Sequence, residues 1–125
     1  MDIGKLEQAM HKVRADLQAP IRVDELAAEV GLSRRRLQHG FRQLFGDTVC
    51  NVRDRLRMEL ALDLVVDSTM SMIEIAMETG YEHPASFTRA FKATFAASPV
   101  ATRNAAQAGR LARRRRDGAS RGARA

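Results

Sequence analysis

Residues 33 to 45 combine four arginines, two glutamines and one histidine, and they contain no acidic residue. An arginine presents two N–H donors that match the acceptors on the major-groove edge of guanine. A glutamine amide offers the donor and acceptor pair that adenine requires. Side chains of these types at this density favour hydrogen bonding to the bases and phosphates of a nucleic acid.

Residues suited to catalysis or metal binding do not occur at the spacing that those functions need. The single cysteine, Cys50, cannot form an internal disulfide or a multi-thiolate zinc site. His11 and His83 have no carboxylate or cysteine at metal-ligand spacing, and no nucleophile is paired with a base. We therefore expect no enzyme, no metal and no cofactor. We expect Cys50 to be a small buried hydrophobe and His83 to cap a helix.

The net charge of +6 lies in the C-terminal tail. Residues 103 to 125 contain eight arginines and one aspartate, a net charge of +7, which leaves −1 for residues 1 to 102. Beyond about residue 104 the chain is Ala, Gly and Arg with one Leu, which bury too little apolar surface to offset the entropy of ordering. We predict that residues 104 to 125 form a disordered basic tail that attracts polyanions without specificity.

The polar side chains of the main part of the chain must be positioned by helices. Apolar residues recur at steps of three and four, and neither strand-like alternation nor a hairpin dipeptide occurs, so the predicted fold class is all-α. Capping residues and helix breakers divide the pattern into about seven helices. The predicted helices cover residues 3 to 18, 23 to 30, 33 to 46, 49 to 66, 71 to 80, 84 to 95 and a short stretch from 98.

An internal repeat relates residues 26 to 45 to residues 75 to 95, with one extra turn residue in the second stretch. In each copy a glycine, Gly31 or Gly80, is followed six or seven residues later by a large apolar residue. This spacing supplies a left-handed turn residue and a wedge between two helices that cross steeply. The sequence therefore predicts two helix-turn-helix units, residues 3 to 46 and 71 to 103, joined by a linker helix over residues 49 to 66.

With this repeat, about residues 5 to 103 of the predicted domain, residues 3 to 103, resemble the DNA-binding domain of the AraC/XylS family of bacterial transcription regulators. The residues that carry the resemblance are Leu26-Ala27, Gly31-Leu32-Ser33, Leu37, Phe41, Gly46, Arg57, Ala61, Leu64, Ile75-Ala76, Gly80-Tyr81 and Phe87 to Lys92. The segments 48 to 49 and 81 to 84 are most similar to the siderophore-responsive branch. The chain departs from the family pattern at Ala96, where glycine is usual, and at Thr102, where an aromatic residue is usual.

The first predicted recognition helix directs Arg35, His39 and Arg42 away from the core when Leu37 faces inward. We predict that Arg35, Gln38 and His39 contact bases and that Arg42 contacts a base or a phosphate. The resemblance places base-reading residues at the first three of these positions. For His39 the alternative is a surface position without a role.

The second predicted recognition helix is chemically poorer on its outer face. Ser86, Thr88 and Arg89 are the base-reading candidates there, and Lys92 is a phosphate-binding candidate. We predict that the first unit dominates specificity and that the second mainly positions the protein. Further predicted phosphate contacts come from Ser33, Arg34, Arg36, Gln43 and Arg53.

The linker helix carries Arg53, Arg55 and Arg57 as candidates for backbone contacts, although Arg57 could equally pair with nearby acids. A helix of about 18 residues spans about 27 Å, which is comparable with the 34 Å between successive major-groove faces. One chain could therefore bind two groove segments. Because the two outer faces differ, the bound site should be asymmetric.

These observations favour a sequence-specific regulator that binds double-stranded promoter DNA, and the resemblance implies activation through contact with RNA polymerase. The alternative is a helical protein-interaction module whose arginine-rich tail binds nucleic acid without specificity. No apolar run could span a bilayer and no signal peptide is evident, so we expect a cytoplasmic, nucleoid-associated protein without a membrane partner. We expect no small-molecule ligand within this chain.

Overall fold

The computed structural model describes the backbone of residues 2–123 and the side chains of residues 2–118, and every regular element within them is an α-helix. The all-α prediction is therefore confirmed. The first six helices begin and end within three residues of the predicted positions. In chain order the helices are α1 (Ile3–Ala15), α2 (Val23–Glu29), α3 (Arg34–Phe45), α4 (Val49–Asp67), α5 (Met72–Glu78), α6 (Pro84–Phe95) and α7 (Pro99–Ala123).

Side-chain caps define where several helices begin. The hydroxyl oxygens of Ser33, Thr48 and Ser71 accept hydrogen bonds from the backbone amides three residues later, at 3.1, 3.3 and 3.1 Å. Each cap satisfies one of the amides that a helix N-terminus leaves without a partner. His83 occupies the N-cap position of α6, as expected, but its side chain makes no capping hydrogen bond.

Two separate hydrophobic cores divide the domain, and α4 contributes to both. The first core extends from Leu6 to Leu56 in sequence, and the second extends from Met58 to Phe91. The buried residues of α4 switch from one core to the other between Leu56 and Met58. The linker is therefore part of both helix-turn-helix units.

The internal repeat is reproduced in three dimensions beyond the aligned segments. Helices α2 and α5 have seven residues each, and α3 and α6 have twelve each. Arg53, near the start of α4, donates to the carbonyl oxygens of Leu17 and Ala19 after the end of α1, at 3.0 and 2.8 Å. Arg103, at the equivalent position of α7, donates to two carbonyl oxygens near the end of α4, at 2.9 and 3.2 Å. Helix α7 is thus related to the second unit as α4 is related to the first.

Arg57 of the linker helix contacts the second unit at the turn that contains Gly80. The buried guanidinium of Arg57 donates to the carbonyl oxygens of Thr79 and Gly80 at 2.6 and 3.0 Å and pairs with Asp54 at 3.1 Å. It also lies 3.9 Å from the centre of the Tyr81 ring. The predicted alternative for Arg57, pairing with an acid, is therefore confirmed, and a phosphate contact from this buried side chain is excluded.

Helix α7 continues to Ala123, through most of the segment for which a disordered basic tail was predicted. The helix begins against α4, so its costly nucleation is already complete, and the alanines and arginines that follow are strong helix formers. The guanidinium of Arg110 holds this extension to the C-terminus of α4 through Asp67, at 2.8 Å, and the carbonyl of Val66. Residues 124 and 125 of the predicted tail lie outside the described residues.

The expectation for Cys50 was wrong, because its side chain is exposed on the first turn of α4. The inward positions of that turn are taken by Val49 and Val52, both fully buried.

Candidate nucleic-acid interface

The outer face of α3 is formed because Leu37 and Phe41 anchor the helix in the first core, where both are fully buried. Arg35, His39 and Arg42 are exposed on the opposite side, as the helical projection predicts. The structure therefore brings these three predicted residues together on one surface. With no acid on α3, this surface has a locally positive potential although the folded body has almost no net charge.

Gln38 differs from the prediction because its side chain is used inside the protein. Its Oε1 accepts the hydrogen bond of the Val49 amide at 3.0 Å, and the residue is half-buried. This amide is in the first turn of α4, where helical geometry provides no acceptor for it. A bidentate contact with adenine needs both the oxygen and the nitrogen of the glutamine amide. In this conformation Gln38 does not offer that pair, which favours a structural role over the predicted base contact.

The equivalent position in α6 shows the reverse situation. Thr88 occupies the place of Gln38, but Pro99 occupies the place of Val49 and has no amide hydrogen to donate. Thr88 is accordingly exposed. The two units therefore differ at both positions: Gln38 is engaged with the start of α4, whereas Thr88 is exposed beside a proline that offers no amide hydrogen.

The predicted phosphate-binding residues around α3 are exposed but differ in their present contacts. Ser33 uses its oxygen to cap α3, which leaves its hydroxyl hydrogen as a donor. Arg34 pairs with Asp24 at 3.3 Å, a contact between two largely exposed side chains that contributes little stability. Arg36 and Gln43 line a cleft between the start of α1 and α3.

The outer face of α6 carries fewer long side chains with hydrogen-bond donors than that of α3, as predicted. Thr88, Arg89 and Lys92 are exposed, whereas Ser86 is half-buried. Phe87 and Phe91 hold the helix in the second core, so Arg89 and Lys92 occupy the positions of His39 and Arg42 in α3. All the predicted residues of this helix except Ser86 therefore lie on its open surface.

Arg53 was predicted to contact phosphate, whereas in the structure its guanidinium is engaged inside the protein. Its Nη2 makes the two hydrogen bonds to the end of α1, and its Nε is buried without a hydrogen-bond partner. Burial lowers the pKa of this guanidinium below its usual value, with the neighbouring charge of Arg57 as a second cause. Arg53 is thus a structural residue. Arg55, which is exposed and donates weakly to the Phe45 carbonyl at 3.4 Å, is the linker arginine left at the surface.

Arg110 is a structural residue that was not among the predicted ones. It lies seven residues after Arg103, which is two helical turns, so both arginines are on the face of α7 that meets α4. Arg53 and Arg103 lie at the same distance from the starts of their helices. This shared spacing extends the internal repeat into the flanking helices, and it is visible in the sequence.

Within the described part of the chain, no three histidine, cysteine, aspartate or glutamate side chains are grouped so that they could hold a metal ion. Among these same residues, no helix combines the length and the apolar character that crossing a membrane requires.

Comparisons with known proteins find a matching family model and relatives among transcription regulators. A family model described as "Helix-turn-helix domain" matches residues 26–105. The transcriptional regulator CdhR of Pseudomonas aeruginosa is 33% identical over 95 residues, which are 76% of this chain and 28% of that protein. The xylose operon regulatory protein of Escherichia coli is 32% identical over 92 residues, or 74% of this chain and 24% of that protein. The chain thus spans about a quarter of the length of these relatives.

Solved structures agree with the sequence relatives. The DNA-binding domain of AdpA, a global transcriptional factor solved in complex with a target DNA, superposes with a TM-score of 0.78 at 28% identity. The alignment covers 86% of this chain and 96% of that domain. An AraC-type DNA-binding domain protein from Chromobacterium violaceum superposes with a TM-score of 0.75 at 26% identity, over 82% of this chain and 92% of that chain.

Proposed function

The chain belongs to the AraC/XylS family of DNA-binding transcription regulators, and from this membership we propose that it reads an asymmetric duplex site with two recognition helices. In this proposal α3 and α6 enter successive segments of the major groove. The observation that carries it is the duplicated framework, which presents an exposed polar face at the same register of both helices.

Base reading by the first unit is assigned to Arg35 and His39, with Arg42 on a base or a phosphate. These side chains are exposed and share one face, and an arginine is the most frequent specific partner of guanine. Ser33, Arg34, Arg36 and Gln43 surround this face and supply phosphate contacts that position the helix.

Base reading by the second unit is assigned to Arg89 and Thr88, with Ser86 at the half-buried edge and Lys92 on phosphate. This face offers fewer long donors than that of α3. We therefore propose that the first unit provides most of the specificity and that the second unit mainly fixes register.

The linker supports simultaneous binding in two groove segments. Its 19 residues correspond to about 28 Å at 1.5 Å per residue, close to the 34 Å of one DNA turn. Since both cores pack on α4, the spacing of the recognition helices is fixed before DNA is bound. A rigid pair of unlike faces selects an asymmetric site. Activation through contact with RNA polymerase extends the proposal to the promoter, on the strength of family membership.

Selection of duplexes from a random pool by the full chain, at about 150 mM salt, tests this proposal because such salt suppresses nonspecific phosphate binding. We expect one asymmetric motif with two parts. Arg35→Ala should relax one base pair in the first part, and Arg89→Ala should relax one in the second. Gln38→Ala should leave base preference unchanged, and Arg14→Ala is the charge-matched control on α1. Failure to enrich any motif, while the full chain still binds all duplexes, would refute the proposal.

A further inference from the structure

Helix α7 extends well past the second core, although the repeat does not require it to do so. Its inner face, from Pro99 to Arg110, packs on α4 and ends at the hydrogen bonds between Arg110 and the α4 C-terminus. Residues 111 to 118 are all exposed. Four consecutive arginines, residues 113 to 116, lie in this overhang, and no hydrogen bond or ion pair joins them to another described side chain.

The repeat gives the direction in which this overhang points. The operation that superposes the first repeat on the second carries α3 onto α6. It also carries α4 onto α7, because Arg53 and Arg103 bind the ends of the preceding helices in the same way. If α3 and α6 occupy successive major-groove segments, that operation advances about one turn along the duplex. Helix α4 runs from the first unit toward the second. Helix α7 must then run from the second unit in the same direction, toward the next turn of the duplex.

The position of the arginines along α7 agrees with this direction. They correspond in the repeat to residues 63 to 66 of α4, the last turn of the linker, which packs in the second unit. They therefore stand where a third unit would begin. Successive residues of a helix are separated by about 100°, so four arginines in a row encircle it and present cations in every direction. Such a ring suits phosphates of any sequence and cannot define a base-specific contact.

We propose that residues 113 to 116 bind the DNA backbone beyond the second recognition helix and lengthen the bound segment by about one turn on that side alone. This inference rests on the proposed function, because the reading of DNA by α3 and α6 sets the direction of α7. The overhang would thus anchor one end of an asymmetric site through contacts that depend on charge and are independent of sequence.

The test uses the full chain and the duplex motif obtained by selection. Two duplexes are made from this motif. One is extended by about 10 base pairs on the α6 side, which is the side where Arg89→Ala relaxes the base preference, and the other is extended by the same length on the opposite side. Binding is measured between 50 and 200 mM salt for the wild type and for a variant with Arg113, Arg114, Arg115 and Arg116 all replaced by glutamine, a good helix former. The matched control replaces the same four residues by lysine. Circular dichroism at 222 nm checks that helicity is retained.

With about two phosphates contacted, the log–log salt slope of wild-type binding should be steeper by about 2 on the duplex extended on the α6 side. Raising the salt from 50 to 200 mM should therefore weaken binding to this duplex roughly tenfold more than binding to the other duplex. The glutamine variant should lose the difference between the two duplexes, and the lysine variant should keep it. Equal slopes on both duplexes for the wild type, or loss of the effect in the lysine variant, would overturn the inference and leave the proposed function standing. Absence of any selected motif would overturn both.

Discussion

Replacement of Gly80 by alanine tests whether the two units are locked together as the structure shows. Gly80 has a φ of +84°, and a Cβ placed on it would lie 2.7 Å from the carbonyl oxygen of Leu17 and 3.0 Å from that of Gln18. These are backbone atoms, so no side-chain rotation can relieve the contact. The Leu17 carbonyl also accepts a hydrogen bond from Arg53 at 3.0 Å, so moving it disturbs the contact between α4 and α1.

Gly46 provides a matched control, because its φ is +87° but nothing lies within 4 Å of an added Cβ. A left-handed alanine costs about 1–2 kcal/mol, and the lower entropy of the unfolded chain offsets about 0.4–1 kcal/mol of this. Gly46→Ala should therefore lose about 1 kcal/mol of unfolding free energy. Gly80→Ala adds the cost of overpacking, about 1–3 kcal/mol, for a total loss of about 2–4 kcal/mol.

Urea unfolding followed by circular dichroism at 222 nm measures both variants on the same scale. In thermal unfolding the expected losses correspond to about 4 °C for Gly46→Ala and about 8–16 °C for Gly80→Ala, at about 4 °C per kcal/mol. Destabilisation of the two variants by the same amount, within about 0.5 kcal/mol, would refute the close packing of Gly80 on the end of α1.

Three further predictions concern single residues. Ala96 has a φ of +60°, so Ala96→Gly should raise the unfolding free energy by about 1 kcal/mol in urea, and a loss would contradict the strain argument. Burial raises the pKa of Tyr81, the sole tyrosine, so absorbance near 295 nm should show a midpoint above 10. Because the unfolded tyrosine ionises first, folding stability should fall as the pH rises above 10. Arg53→Gln should destabilise the fold by about 1–3 kcal/mol yet leave the salt slope of DNA binding unchanged; a slope lower by about 1 would restore its phosphate role.

Local signals in the sequence were sufficient to place the helices and the outer face of α3. A serine or threonine cap and a left-handed glycine act within a few residues, so their effects can be read without knowledge of the fold. The starts of α3, α4 and α5 follow this rule. Exposure of Arg35, His39 and Arg42 follows equally from helical period, once the inward residue is known.

The roles of Arg53, Arg57 and Gln38 could not be predicted in the same way, because each depends on backbone groups brought close by the tertiary fold. An arginine has the same donors whether it meets a phosphate or the carbonyls at a helix end. Arg57 meets carbonyls 22 and 23 residues away, and Arg53 meets carbonyls 34 and 36 residues away. The extension of α7 into the arginine-rich segment was not predicted for a related reason, since the start of that helix depends on packing against α4.

The pair of equivalent positions at the starts of α4 and α7 shows how the duplicated framework separates fold from readout. In the first unit the amide of Val49 needs an acceptor and takes it from Gln38, at 3.0 Å. In the second unit Pro99 removes that need, and Thr88 stays exposed. The helix that follows each recognition helix thus sets whether a backbone amide engages one side chain of that recognition helix. Because this choice lies outside the recognition helices, the specificity of either unit cannot be judged from the sequence of α3 or α6 alone.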